Sequence, residues 1–159
     1  MKKTISFITV HIGSNFGSNL QAIATSEILK RLGYDPVCVN YIPPRTTWER
    51  YWQVGAMSAK RLVRRILYYP FAIEEKRRFA NFLRRHCRVS ASIYANDDFS
   101  KVCPKADVYV TGSDQVWNFT HNEGLDKHYF FEGIQGKKIA YASSIGRTDL
   151  NEKEREWIK

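Results

Sequence analysis

Apolar and polar residues follow one another in this chain as a strand, a loop, a helix and a second strand. Thr4 to Val10 alternates and is rich in Ile, Phe and Val, which predicts a first strand. A Gly/Ser/Asn loop covers residues 11–19, and apolar residues then recur every three or four positions from Leu20 to Leu32, which predicts a helix. Val37 to Tyr41 predicts a second strand. A unit of this kind joins parallel strands by a right-handed crossover.

The first helix and the middle of the chain carry further boundary residues. Ser18 or Asn19 is suited to cap the start of the helix, and Gly33 to end it in a left-handed conformation. Residues 48–89 are basic and have helical periodicity. We expect two amphipathic helices there, broken near Pro70.

The second half of the chain predicts two more strands. After an irregular stretch to Pro104, Val108–Thr111 is a β-branched apolar run and Lys138–Ala142 is another strand. Asp149 with Glu152 has the spacing of a capping box and predicts a helix start. Strands that alternate with helices indicate the α/β class, with a parallel sheet flanked by helices.

Three predicted loops, after Val10, Thr111 and Ala142, follow the carboxyl ends of strands in this sheet. Parallel strands end at the same edge, and ligands of open α/β sheets bind outside that edge. We therefore expect the three loops to converge on one site.

The loop after Thr111 has the composition of a polyol-binding site. A hydroxyl, a carboxylate and two amides can hydrogen-bond sugar hydroxyls, while an indole can cover C–H surface. Its residues are Gly112, Ser113, Asp114, Gln115, Trp117 and Asn118.

Each candidate also has an ordinary structural role. Asp114 is the best single candidate for acid–base chemistry, but Asp also caps helices and forms Asx turns. Trp117 can stack on a sugar or pack in the core. His11, at the end of the first strand, can donate to a ligand, carry a proton or be a hydrogen-bonded structural residue.

The first loop resembles a phosphate-binding glycine turn without matching one. Gly13 and Gly17 are not spaced as GxGxxG, and no Walker lysine follows. A glycine turn that enters a helix presents N–H groups to an anion, but many βα loops are built this way without a ligand.

Length, cysteine content and charge narrow the protein class. The 159 residues suit one domain, and three scattered cysteines predict free thiols and not a disulfide framework. We find no apolar run long enough to span a membrane, no signal peptide after Met1 and no metal motif, so we expect a cytoplasmic protein without a cofactor. The segment from Arg45 to Arg88 holds twelve Lys and Arg against three Glu, which accounts for the whole net charge of +9.

The basic segment has several interpretations. It can bind nucleic acid, an acidic glycan or an anionic membrane surface, or it can be a solvated helix face whose arginine stems cover apolar surface. Because the sequence has no nucleic-acid-binding motif, we expect no nucleic-acid partner.

Together these motifs resemble the amino-terminal half of the polysaccharide pyruvyl transferase family. The resemblance rests on Thr9-Val-His11, Asn15-Phe-Gly17 and Leu20-Gln-Ala22, on the string Thr111-Gly-Ser-Asp-Gln-Val-Trp-Asn118, on Tyr129-Phe-Phe131 and on Lys138-Ile-Ala-Tyr-Ala-Ser-Ser-Ile-Gly146. It covers nearly the whole chain apart from the basic middle, where only the spacing of Phe79 and Phe82 is familiar.

The resemblance implies a Rossmann-like domain, residues 1–159, that is one half of a GT-B-like two-domain architecture and carries a basic helical insertion at about 45–90. It implies transfer of a pyruvyl group from phosphoenolpyruvate to two sugar hydroxyls, forming a ketal in surface-polysaccharide synthesis. Members are about twice this length, so we expect the second domain to be absent and this chain alone to turn over little. Many members also have Asp or Ala where this chain has Ser18.

The resemblance also assigns roles to individual residues. Asp114 or His11 is the candidate catalytic base, and the N–H groups near Gly17 and the Arg147 side chain are suited to meet negative charge. The candidate substrate-binding residues are Asn15, Gly17, Ser18, Gln21, Gly112, Ser113, Gln115, Trp117, Asn118 and Arg147.

The expected partners are phosphoenolpyruvate, a sugar or lipid-linked glycan acceptor, and an anionic inner membrane face met by residues 45–88. Two other functions remain open at this point. One is a GT-B-like glycosyltransferase that uses a nucleotide sugar. The other is a non-catalytic basic module that binds an anionic membrane or nucleic acid.

Overall fold

A five-stranded parallel sheet forms the centre of the molecule. The computed structural model describes residues 2–47, 52 and 59–158. The strands are β1 (Thr4–Ile8), β2 (Asp35–Ile42), β3 (Val89–Tyr94), β4 (Val108–Thr111) and β5 (Lys137–Ala140). Their order is β3-β2-β1-β4-β5, and every neighbouring pair is parallel. The α/β prediction is confirmed, and the sheet is Rossmann-like.

Helices and short turns connect the strands. The helices are α1 (Phe16–Arg31), α2 (Ala59–His86), α3 (Phe99–Val102) and α4 (Glu152–Ile158), with 3-10 turns at Pro44–Thr46 and Lys127–Phe130. The prediction of a break near Pro70 was wrong, because α2 continues through Pro70 to His86. Residues 48–51 and 53–58 of the predicted first basic helix lie outside the described residues.

Side chains alternate between the two faces of the sheet along each strand, so there is one hydrophobic core on each face. Phe7, Cys38 and Val110 face the layer that contains Ala22 of α1 and Leu83 of α2. On the other face, residues such as Ile8, Val39, Tyr109, Tyr129 and Phe131 pack with the segment from 99 to 134. Tyr129 and Phe131 of the predicted aromatic stretch are therefore core residues.

Helix α1 differs from its predicted form at both its start and its face. Asn15 is the N-cap, since its Oδ1 accepts the backbone N–H of Gly17 at 2.8 Å, so the helix begins before the predicted caps Ser18 and Asn19. The residues buried against the sheet are Asn19, Ala22 and Ser26. Leu20, Ile28 and Leu32, predicted to face the core, are exposed.

Helix α4 begins with a capping box two residues later than predicted. Asn151 Oδ1 accepts the N–H of Glu154 at 2.9 Å, and Glu154 Oε2 accepts the N–H of Asn151 at 2.9 Å. The predicted pair Asp149 and Glu152 has the same spacing, but Glu152 is the first residue of the helix and Asp149 lies before it. Among the described residues no helix has both the length and the hydrophobicity needed to cross a bilayer.

Candidate active site

The strand order reverses between β1 and β4, and this reversal opens the crevice in which open α/β sheets bind ligands. Connections from β1 lead through α1 toward β2 on one side, whereas the chain after β4 leads toward β5 on the other. The loops that follow β1 and β4 therefore separate at the carboxyl edge. Both predicted loops lie at this point, and the loop after β5 is next to them.

Hydrogen bonds tie the β1 and β4 loops together. Thr9, which is buried, donates its hydroxyl to the carbonyl of Ser113 at 2.5 Å. The side-chain amide of Gln21, from the second turn of α1, donates to the same carbonyl. Gln21 and Ser113 are thus brought together, and their contact fixes the start of the Ser113–Asn118 loop.

The β4 and β5 loops interlock in the same way. The N–H of Ser144 donates to the carbonyl of Asp114 at 3.0 Å, and the Ser143 hydroxyl donates to the carbonyl of Thr111 at 2.8 Å. Asn118 donates to Gln115 Oε1 at 2.9 Å, and both side chains lie against Gly146 so closely that a Cβ there would meet them at 2.6 and 2.5 Å. The three predicted loops therefore share one rim.

Asp114 occupies a strained position on this rim. Its φ is +110°, in the region that favours glycine, and strained residues of this kind cluster at functional sites. Its Oδ1 accepts the N–H of Gln115 at 2.7 Å, which is the local turn role open to it from the sequence. The residue is only partly buried.

Arg45 and His121 form a second polar pair near Asp114, and sequence reasoning did not identify either of them. Arg45, which follows β2, donates from Nη1 to Nε2 of His121 at 2.5 Å. Burial and the Arg45 charge lower the pKa of His121, and the Asp114 carboxylate opposes them. The Nε atom of Arg45 is buried without an acceptor among the described residues. This guanidinium therefore carries one N–H whose hydrogen-bonding capacity is not used by the described residues.

The carboxyl-edge rule itself could have found Arg45, because β2 ends at the same edge as β1 and β4. Nothing in the sequence pattern singles out His121, because it is one of several polar loop residues that follow Thr111–Asn118. Tyr129 lies beside the pair, and burial raises the pKa of its hydroxyl, with Asp114 raising it further and Arg45 lowering it.

His11 is buried on the opposite side of the β1 end, with both ring nitrogens in contact with protein atoms. Nδ1 is 3.0 Å from the carbonyl of Thr9, and Nε2 is 3.2 Å from the side-chain oxygen of Asn40. Burial lowers its pKa, against the two hydrogen bonds. Both partners are oxygens that can only accept, and a neutral imidazole has one N–H, so the ring donates to only one of them.

A cavity of about 230 Å³ opens beside His11, between the ends of β1–β3 and helix α2. Its polar lining includes Asn19 of α1, Asn40 of β2, and Lys76 and Arg84 of α2. Asn19 Oδ1 is buried without a hydrogen-bond partner among the described residues. Lys76 donates to the carbonyl of Thr46 at 2.9 Å, and burial lowers its pKa. The cavity has amide and cationic groups and no acidic lining residue.

The other first-loop candidates form the start of helix α1. Asn15 is occupied by capping α1, and Gly17 lies against it, since a Cβ at Gly17 would be 3.2 Å from Asn15 Oδ1. The N–H groups of Gly17 and Ser18 are directed to Asn15, so this helix start is already capped.

Trp117 and Arg147 are both engaged by protein groups. The indole of Trp117 stacks on Phe130, with ring centroids 5.3 Å apart, and its Nε1 donates to the carbonyl of Tyr129 at 3.5 Å. One indole face is therefore covered by the core. Arg147 forms an ion pair with Glu154, whose pKa it lowers, and so ties the β5 loop to α4.

The candidate residues thus fall into two neighbouring groups. The β4 loop residues lie with Gln21, Arg45 and His121 at the strand-order reversal, and His11 lies with Asn19, Asn40 and Lys76 at the adjoining cavity. Within the described parts of the chain, no three His, Cys, Asp or Glu side chains gather as metal ligands.

The model of the family described as polysaccharide pyruvyl transferase matches residues 15–158 of the chain. No curated protein and no solved structure matches it. The matched region includes the whole β4 loop, α1 and β5. The chain therefore belongs to the polysaccharide pyruvyl transferase family.

Proposed function

We propose that the protein transfers a pyruvyl group from phosphoenolpyruvate to two hydroxyls of a sugar and forms a cyclic ketal of a surface polysaccharide. The family match supports a transferase of this kind. The observation that carries the proposal is the Asp114 carboxylate on the rim at the strand-order reversal, with the Arg45 guanidinium nearby and its Nε donor unused.

The proposed reaction adds two sugar hydroxyls to one carbon of the donor and releases phosphate. A sugar hydroxyl adds to C2 of the enol phosphate as its proton is removed, and the C3 methylene gains a proton. The C2–O bond to phosphate then breaks, inorganic phosphate leaves, and a second hydroxyl adds to C2 and loses its proton. The balance is phosphoenolpyruvate and a diol to pyruvate ketal and phosphate. A base, an acid and cations for the carboxylate and phosphate are needed.

Residues of this chain suit part of that set. We assign Asp114 as the base for the attacking hydroxyl, because the residue is only partly buried. His11 is less suited, since its ring is buried and its nitrogens contact Thr9 and Asn40. Arg45 is placed to meet negative charge. The amides beside His11 suit the hydroxyls of a sugar or lipid-linked glycan acceptor.

The GT-B-like second domain implied by the resemblance would hold most of the donor. The assay therefore uses the product of the complete reading frame that encodes these 159 residues. Phosphate release is followed with phosphoenolpyruvate and candidate sugars. We expect Asp114→Asn to lower kcat by about 100-fold or more, as general-base loss does. Asp149→Asn, an exposed carboxylate before α4, is the matched control and is expected to retain activity.

Ligand-dependent melting separates the proposal from its closest rival. Phosphoenolpyruvate is expected to raise the melting temperature, and nucleotide sugars are not. Stabilisation by a nucleotide sugar alone would assign the glycosyltransferase function instead. Full activity of Asp114→Asn would refute the assigned base while leaving the reaction in place.

A further inference from the structure

The first half of α2, residues 59–73, presents an apolar face to solvent. Its large apolar side chains are 41–69% exposed, and most recur at helical spacing along one side. They are Leu62, Val63, Ile66, Leu67, Phe71 and Ile73. Contiguous apolar surface of this kind on a soluble protein marks a site that something else covers.

The second half of the same helix behaves differently. Leu83 is in the core, and Phe79 packs on Phe16 of α1 with ring centroids 4.6 Å apart. Glu74 forms ion pairs with Arg77 and Arg78 at 2.7 and 2.8 Å. The second half is therefore docked on the domain and partly neutralised by its own acid, whereas the first half has its apolar side chains exposed.

Four cations accompany the exposed face. Lys60, Arg61, Arg64 and Arg65 lie in residues 59–73, and that segment contains no acidic residue. At 100° per residue Arg61, Arg64 and Arg65 fall on the arc opposite the centre of the apolar face, whereas Lys60 falls inside its edge, between Leu67 and Phe71. An open groove of about 390 Å³ at this edge is lined by two cations, Lys60 and Arg64, and by Val63, Leu67, Tyr68 and Phe71.

We propose that residues 59–73 lie as an interfacial helix on an anionic lipid bilayer, with the apolar face at the acyl boundary and the four cations at the lipid phosphates. A charged face opposite Leu, Ile and Phe, with low overall hydrophobicity, is the pattern of such helices. The segment is too short and too charged to span the bilayer, so it lies on the surface.

Charge decides between this occupant and others. Nucleic acid would neutralise the cations but leave the apolar face in water. A second copy of this helix would bring cations against cations, and residues 59–73 offer no acid to balance them. An anionic bilayer satisfies both faces at once. The inference does not depend on the reaction proposed above.

Vesicle sedimentation tests it on the full chain. Vesicles of phosphatidylcholine with 30% phosphatidylglycerol, as a roughly physiological anionic fraction, are compared with pure phosphatidylcholine. We expect binding to the anionic vesicles only, weakening as salt rises. Arg61→Gln with Arg64→Gln is expected to weaken binding roughly 30-fold, at about a fivefold loss per cation.

Matched variants separate the helix face from general charge and hydrophobicity. Arg84→Gln with Arg85→Gln removes the same charge from the docked half and is expected to bind nearly normally. Ile66→Gln with Leu67→Gln is expected to weaken binding at least tenfold, since two aliphatic side chains no longer enter the bilayer. Leu20→Gln, an exposed apolar position on α1, is its control.

Several results would overturn the proposal. One is equal loss for the Arg61/Arg64 and Arg84/Arg85 pairs, which would indicate unspecific charge attraction. Another is no binding to anionic vesicles, or equal binding to neutral ones. Dimerisation in sedimentation velocity that Ile66→Gln with Leu67→Gln abolishes, without any vesicle binding, would assign the face to self-association.

Discussion

Replacing Gly112 by Ala tests the close contact on which the interlocked rim depends. A Cβ at Gly112 would lie 2.1 Å from the carbonyl oxygen of Tyr141 and 2.6 Å from Ser143 Oγ. The first of these is a backbone atom, so the β5 loop itself must move. The φ of Gly112 is +111°, which adds strain for any residue with a side chain.

The backbone strain and the steric overlap can be measured separately by also substituting a second glycine. Gly124 has a φ of +127°, and a Cβ there meets nothing within 4 Å. Gly124→Ala therefore carries the backbone strain, about 1–3 kcal/mol, without the overlap. Overlap in a packed site adds about 1–3 kcal/mol, so we expect Gly112→Ala to be the more destabilising by about 2 kcal/mol.

Thermal and urea unfolding of the two variants measure this difference. For a chain of this size, about 2 kcal/mol corresponds to roughly 4–8 °C in Tm. Both substitutions restrict the unfolded chain equally, so that effect cancels in the comparison. Equal losses for the two variants would refute the contact between the β4 loop and the Tyr141 carbonyl.

Two further predictions concern His11 and the α4 cap. Because burial lowers the pKa of His11 below its ordinary value near 6.5, the unfolded chain takes up the proton first. Its contribution to stability is therefore present above pH 6.5 and lost as the pH falls. His11→Asn should flatten the pH dependence of the unfolding free energy by up to about 1.4 kcal/mol per pH unit, and an unchanged slope in urea titrations would argue against a buried neutral ring. Asn151→Ala should cost about 1 kcal/mol as a lost cap, whereas Asp149→Ala should be near neutral. If Asp149→Ala lowers the Tm more than Asn151→Ala does, the helix cap predicted from the sequence is the correct one.

The sequence predicts β1, β2, β4 and β5 and misses β3. Val108–Thr111 agrees at both ends with β4, because a short β-branched run has few alternatives. Strand β3 was assigned to an irregular stretch. It is an edge strand in which only Ile93 is buried, and its central residues, Ser90 to Ser92, are small, so its apolar pattern is weak. Burial alone does not decide whether a strand is predictable, because β5 is exposed along its whole length and was still predicted.

The sequence predicts which loops meet, because the sheet topology decides that. It does not predict which side chains contact one another, because tertiary packing decides that. That the loops of β1, β4 and β5 meet is a consequence of parallel strands ending at one edge. The partner of each side chain is a matter of tertiary packing. Arg147 was expected to meet a substrate anion and instead forms an ion pair with Glu154, which lies on α4. Arg45 and His121 come from separate loops and carry no shared pattern.

The helix turn at Pro70 has a mechanical consequence. Because α2 passes through Pro70 without interruption, its exposed first half and the wall formed by Lys76 and Arg84 belong to one rod. Thirteen residues separate Phe71 from Arg84, a rise of roughly 20 Å. A surface that bound residues 59–73 would therefore also fix the position and orientation of the cavity opening at Lys76 and Arg84. A tethered acceptor would then be selected by how far its sugar stands from its anchor, as well as by its chemistry.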